Sequence, residues 1–99
     1  MKNNIVKEKS FDFAIRIVKL TRILQEDKRD FVISKQLLHC ATPVGACVRE
    51  SEHAESDSDF IHKLQIGLKE ANETEYWLDL LYATQYLNEK EYELSLIHI

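Results

Sequence analysis

The residues best equipped for chemistry sit in one nine-residue stretch, HCATPVGAC, from His39 to Cys47. Two thiols and an imidazole could close a disulfide, run redox chemistry or hold zinc, and each use demands its own spacing. On a helix, Cys40 and Cys47 lie about 10 Å apart along the axis. That is beyond the roughly 7 Å that a disulfide spans between Cα atoms. A redox pair wants C-x-x-C, and zinc wants ligands two to four residues apart in two pairs. Both cysteines are therefore expected as small buried hydrophobes. A second pattern is sharper: Glu50-x-x-His53 and Asp59-x-x-His62 have the Glu-x-x-His spacing that helical bundles use for di-iron sites. Their placement argues against it, because both pairs flank one connection near helix ends, while a buried di-metal site lies mid-bundle. No nucleophile–base pair and no glycine-rich phosphate loop is present. The sequence thus assigns no catalytic, cofactor-binding or metal-ligating residue, and expects neither an enzyme nor a cofactor.

The elements that carry these residues read as helices. Over residues 10–27, Phe11, Ala14, Ile17 or Val18, Thr21 and Leu24 recur at steps of three and four, with Ser10 expected as the N-cap. Residues 28–30 connect to a second helix over 31–56, with Ser34 as its cap. Ile33, Leu37, Ala41, Val44 and Val48 carry the helical period straight through the opening stretch. Pro43 leaves the His39 carbonyl without its helical donor, so a bent helix is expected there rather than a loop. Gly45 and Ala46 keep the inside of that bend slim.

Residues 55–59, ESDSD, form the second connection, with Asp57 or Ser58 expected as the next cap. The third helix is expected to run to Leu87 on the stripe Phe60, Leu64, Leu68, Ala71, Glu75, Leu78 and Tyr82. Gly67 and Ala71 admit a close neighbour, and Lys69 faces Glu73 as an i,i+4 pair. Asn88 and Glu91 then have capping-box spacing and open a fourth helix.

Composition narrows the class. Forty-four per cent hydrophobic and 30% charged residues suit a globular chain, and two glycines with one proline favour long helices joined by short connections. No apolar run reaches the roughly 18 residues that span a bilayer. The start, MKNNIVKEKS, has no apolar segment behind its basic residues, so no signal peptide and no membrane partner are expected. The expected compartment is the cytoplasm, where both thiols stay reduced.

The net charge of −4 is uneven: residues 1–30 carry eight Lys/Arg against five Asp/Glu, and the remainder five against twelve. The final LSLIHI can be encoded as CTG TCT CTT ATA CAC ATC, which looks like the mosaic end of a transposase-based sequencing adapter. Residues 1–93 are therefore expected to be the helical domain and 94–99 a non-native tail. On this reading His98 has no role and the natural fourth helix is cut short.

Residues 36–81, QLLHCATPVGACVRESEHAESDSDFIHKLQIGLKEANETEYWLDLL, resemble the four-helix-bundle proteins encoded in intervening sequences of bacterial large-subunit ribosomal RNA genes. FDFAIRIVKL upstream is similar to their usual first helix. The resemblance implies an all-α, up-down antiparallel four-helix bundle, here with three helices present and the fourth cut short. It also implies a homo-oligomer, commonly a pentameric ring, and supplies no catalytic residue. A related branch, the accessory variability determinants of diversity-generating retroelements, binds nucleic acid and a reverse transcriptase. Pro43 stands where the family usually has Ser or Thr, and Cys47 where it usually has Asn.

The expected function is accordingly a non-catalytic oligomeric bundle, with nucleic acid or a nucleic-acid enzyme as the ligand. Lys9, Arg16, Lys19 and Arg22 of the first helix, joined by Arg49, would be the contacts. The alternatives are a di-iron-like metal bundle and a purely structural protein–protein module. Three helices facing a vacant fourth place would expose Ile17, Leu64 and Leu78, so abnormal self-association of the 99-residue chain is expected.

Overall fold

Buried residues recur at alternating steps of three and four in the three long helices, and this repeat decides how they pack. The computed structural model describes residues 2–95, with side chains from Ile5 onward. These form α1 (Lys2–Glu26), α2 (Val32–Ser51), α3 (Asp57–Ala83) and α4 (Glu89–Ser95), with no strand among them. Ser10, Phe13, Ile17, Leu20 and Leu24 are the inward positions of α1. Ser34, Leu37, Ala41 and Val44 hold the same register in α2, as do Gly67, Thr74, Leu78 and Leu81 in α3. Such a 3.5-residue period keeps one seam facing the neighbour along the whole length, in near-antiparallel packing.

The connectivity is up and down. Lys7 near the start of α1 pairs with Glu52 just past the end of α2 at 3.4 Å, while Gln25 near the end of α1 reaches Ser34 near the start of α2. α3 then runs back along α2, and Tyr92 of α4 turns back onto Asp79 and Tyr82 of α3. α2 packs on both α1 and α3; no Cα of α1 comes within 8 Å of one in α3 among the described residues. α4 bridges those two flanking helices opposite α2, in the place of a fourth bundle helix. It has only seven residues against the 27 of α3. Residues 96–99, including His98, lie outside the described residues.

Several local expectations are corrected. α1 begins at Lys2 rather than residue 10, since the Lys7–Glu52 pair and half-buried Val6 beside Val48, Phe60 and Leu64 tie its first turns down. Ser10 is therefore mid-helix and buried, with its hydroxyl donating to the Lys7 carbonyl at 3.0 Å. Phe13, not Phe11, faces the core. Ser34 does not cap α2; Asp30 does, its Oδ1 accepting from the backbone N–H groups of Val32 and Ile33. α2 ends at Ser51 and passes through Pro43 without interruption. Ser56, not Asp57 or Ser58, caps α3 by accepting from the Asp59 N–H at 3.1 Å.

Leu68 and Glu75 are exposed, because the buried stripe of α3 runs through Gly67 and Thr74 instead. α3 stops at Ala83, four residues before the expected end, with Gln85 at φ 67° and the Tyr86 N–H returning to the Leu81 carbonyl. That is the left-handed close usually given to glycine. The expected Lys69–Glu73 pair is not among the ion pairs of the described residues, and Glu73 accepts from the Trp77 indole instead. Ile17 and Leu78 are fully buried and Leu64 half-buried, because Leu87 and Tyr92 pack onto the same core as α1 and α3. The capping box at α4 is as expected: Asn88 Oδ1 accepts from the Glu91 N–H at 2.8 Å, and Glu91 Oε1 accepts from the Asn88 N–H at 2.9 Å.

α3 comes close to α2 at Gly67. A Cβ on Gly67 would lie 3.2 Å from the Cβ of Cys47. Gly67→Val is expected to lower stability by about 1–3 kcal/mol through overpacking. Urea denaturation reads this, and an unchanged midpoint would show that the helices are not this close.

Candidate functional site

The residues of HCATPVGAC do not converge on one site. His39 projects to the surface while Cys40 is fully buried, its thiol donating to the Gln36 carbonyl at 3.0 Å and lying 3.3 Å from the Thr74 hydroxyl. Burial pushes the Cys40 thiol above its ordinary pKa, with Glu73 and Glu70 adding to the rise and the Thr74 hydroxyl opposing it. Burial does the same to Cys47, reinforced by Glu50. Both thiols are free. A raised pKa leaves less thiolate, the form that attacks and ligates.

The Glu50–His53 and Asp59–His62 pairs flank the α2–α3 turn, with His53 in the turn itself. The Asp59 carboxylate is engaged: Oδ2 accepts from the Glu55 N–H and Oδ1 from Lys63. The Glu55 bond first, and then Lys63, hold it below the usual carboxylate range. Among the described residues, no three His, Cys, Asp or Glu side chains come together to hold a metal ion.

The five cationic candidates fall on more than one surface. Residues six apart on a helix are rotated by about 120°, so Arg16 and Arg22 point to different sides of α1. Arg16 and Lys19 border a groove of about 270 Å³ between α1 and α4, facing Leu20, Ile23, Glu91 and Leu94. Lys9 and Arg22 are exposed elsewhere along α1. Arg49 belongs to the α1–α2 side, where its guanidinium carbon sits 5.1 Å from the centroid of the Phe11 ring.

Two features were not singled out from sequence. One is that Arg49–Phe11 contact, which shares a notch with Lys7, Ala14, Thr42, Gly45 and Ala46. The 3.5-residue register would have revealed it, since burying Phe13 turns Phe11 outward. The other is an aromatic clasp holding α4, in which the Tyr92 ring stacks on Tyr82 at 4.6 Å and its hydroxyl donates to Asp79 at 2.5 Å.

The Asp79 bond, then burial, pushes the Tyr92 pKa up from 10.0 to about 12. A folded-state pKa above the unfolded one means that this contribution to stability is whole below about pH 10 and is lost as pH rises through about 12. Followed by phenolate absorbance, one of the four tyrosines is expected to titrate late, and Asp79→Ala to bring it back toward 10. Four tyrosines titrating together in the unaltered chain would contradict the clasp.

A family described as 23S rRNA-intervening sequence protein matches residues 2–98. A crystal structure of a Bacteroides thetaiotaomicron protein of unknown function, from the S23 ribosomal protein family, is 54% identical. It superimposes with a TM-score of 0.93 over 96% of this chain and 85% of that one. No curated protein matches. With that match over almost its whole length, the chain belongs to the 23S rRNA-intervening sequence protein family.

Proposed function

We propose that the protein works by association rather than catalysis, as a cytoplasmic homo-oligomer, a pentameric ring, that engages nucleic acid or a nucleic-acid enzyme. The observation that carries this is the division of labour between inside and outside. Inside, the two thiols are spent on packing and suppressed by burial, while at the surface the Asp59 carboxylate is tied to its own turn. Outside, large apolar side chains lie open, among them Val32 at 74% exposure and Leu68 at 62%. We read these exposed apolar side chains as surface that a partner covers in the assembly. No helix among the described residues is long and apolar enough to cross a membrane.

The nucleic-acid part rests on α1, where six Lys/Arg stand against three Asp/Glu. Lys9, Arg16, Lys19 and Arg22 are the contacts, Arg49 being set apart over Phe11, and repetition around a ring would raise a modest affinity by multivalency. Phosphate contacts of this kind weaken steeply with salt.

Fluorescence anisotropy with a labelled RNA duplex tests that part. Saturable binding at low salt is expected, weakened about tenfold or more in an Arg16→Glu/Lys19→Glu/Arg22→Glu variant. No binding at low salt would leave a protein–protein module. Light scattering on the same samples is expected to read several chains per particle, and a single chain would overturn the assembly.

A further inference from the structure

Charge is sorted by helix across this small molecule. Six Asp/Glu face two Lys along α3, and three Glu face one Lys along α4, whereas α1 is basic. α1 and α3 lie on opposite sides of α2, so the two signs look outward in different directions. A surface built this way is complementary to a second copy of itself in a head-to-tail arrangement, where unlike patches meet.

Each side also carries one half of an anchor-and-pocket pair. On the basic side the notch between α1 and α2 has a volume of about 260 Å³, with exposed Phe11 and Arg49 at its rim and Ala14, Thr42 and Ala46 also lining it. Beneath it α1 and α2 are in ordinary contact, a Cβ on Gly45 lying 3.5 Å from the Ser10 carbonyl oxygen. Arg49 is held over the Phe11 ring, so the rim is at once aromatic and cationic. On the acidic side Tyr76 is the most exposed aromatic of the described residues, at 59%. Its ring is braced edge-on against Trp77, with centroids 5.1 Å apart, and Trp77 is itself tied to Glu73. Glu73 and Asp79 stand one turn to either side of Tyr76.

We propose that the protein self-associates head to tail, with Tyr76 of one copy seated in the Phe11–Arg49 notch of the next. This rests on the self-association proposed above and names its contact. The braced ring gives up little rotational freedom on docking, and the carboxylates flanking it arrive beside Arg49. Tyrosine and arginine dominate such interface centres, where one anchor in one pocket carries most of the affinity. Because notch and anchor are different patches, each copy keeps one of them unused after pairing, and assembly continues until a ring closes.

Sedimentation velocity on the whole chain and its variants tests this. Ala46→Trp fills the notch from an exposed position, and Tyr76→Glu removes the anchor. Each alone is expected to weaken association about tenfold or more, leaving single chains where the unaltered protein is assembled. An equimolar mixture of the two is expected to form a two-chain species and nothing larger, because one variant keeps the anchor and the other the notch. Arg49→Glu is a second block of the notch should Ala46→Trp lose its cooperative melt.

If the variants assemble like the unaltered chain, the notch contact is wrong while self-association stands. If each is a single chain and the mixture stays so, head-to-tail pairing is wrong. If the unaltered protein is a single chain at every concentration, the underlying proposal of association falls with it.

Discussion

α2 is packed against from two sides at once, and the rest of the fold depends on that. α1 meets it in ordinary contact at Gly45, where Ser10 presents its carbonyl, and α3 approaches it more closely at Cys47, where Gly67 leaves out a side chain. A bulky residue at any of these places would push a flanking helix outward and open the seam. Cys40 and Cys47 fit because a thiol is small and apolar, and the packing that accepts them is also what suppresses their ionisation. The chemistry these residues suggested is thus cancelled by the job they hold. Interior close packing of this kind leaves little tolerance for added volume.

Much of this architecture was legible in the sequence. Few turn residues implied long helices, and Asn88 with Glu91 marked the α4 cap correctly, since both sides of a capping box are read from a fixed spacing. The small residue at Gly67 was rightly linked to a close neighbour. Faces were harder than elements. A run of equal steps, threes from Phe11 to Ile17 and fours from Phe60 to Leu68, drifts off a 3.5-residue seam, so Phe11 and Leu68 fall outside the core while Phe13 and Thr74 lie in it. The end of α3 was missed because Gln85, not glycine, takes the left-handed position, so no signal stood in the text. The cap of α3 slipped by one residue because Ser56, Asp57 and Ser58 all suit the role and only the fold chooses.

The same limit applied to the candidate contacts. Cations three apart read as a row in sequence, but each step turns them by about 60° around the helix. Arg16 and Lys19 consequently border the α4 side while Arg49 sits over Phe11 on the α2 side. Which charges share a surface depended on the positions of α2 and α4 relative to α1, and one helix alone does not carry that information. What remains after the core is accounted for is a two-faced exterior, basic along α1 and acidic along α3 and α4.

The most direct test of a two-faced, self-complementary surface is the molecular mass of the unaltered protein measured by light scattering across a sodium chloride series. Attraction between opposite charges at a rim is screened over about 8–10 Å at physiological ionic strength and over less as salt rises. Several chains per particle are expected at low salt, falling toward one as the salt increases. A mass that stays at one chain throughout, or an assembly indifferent to salt, would contradict it.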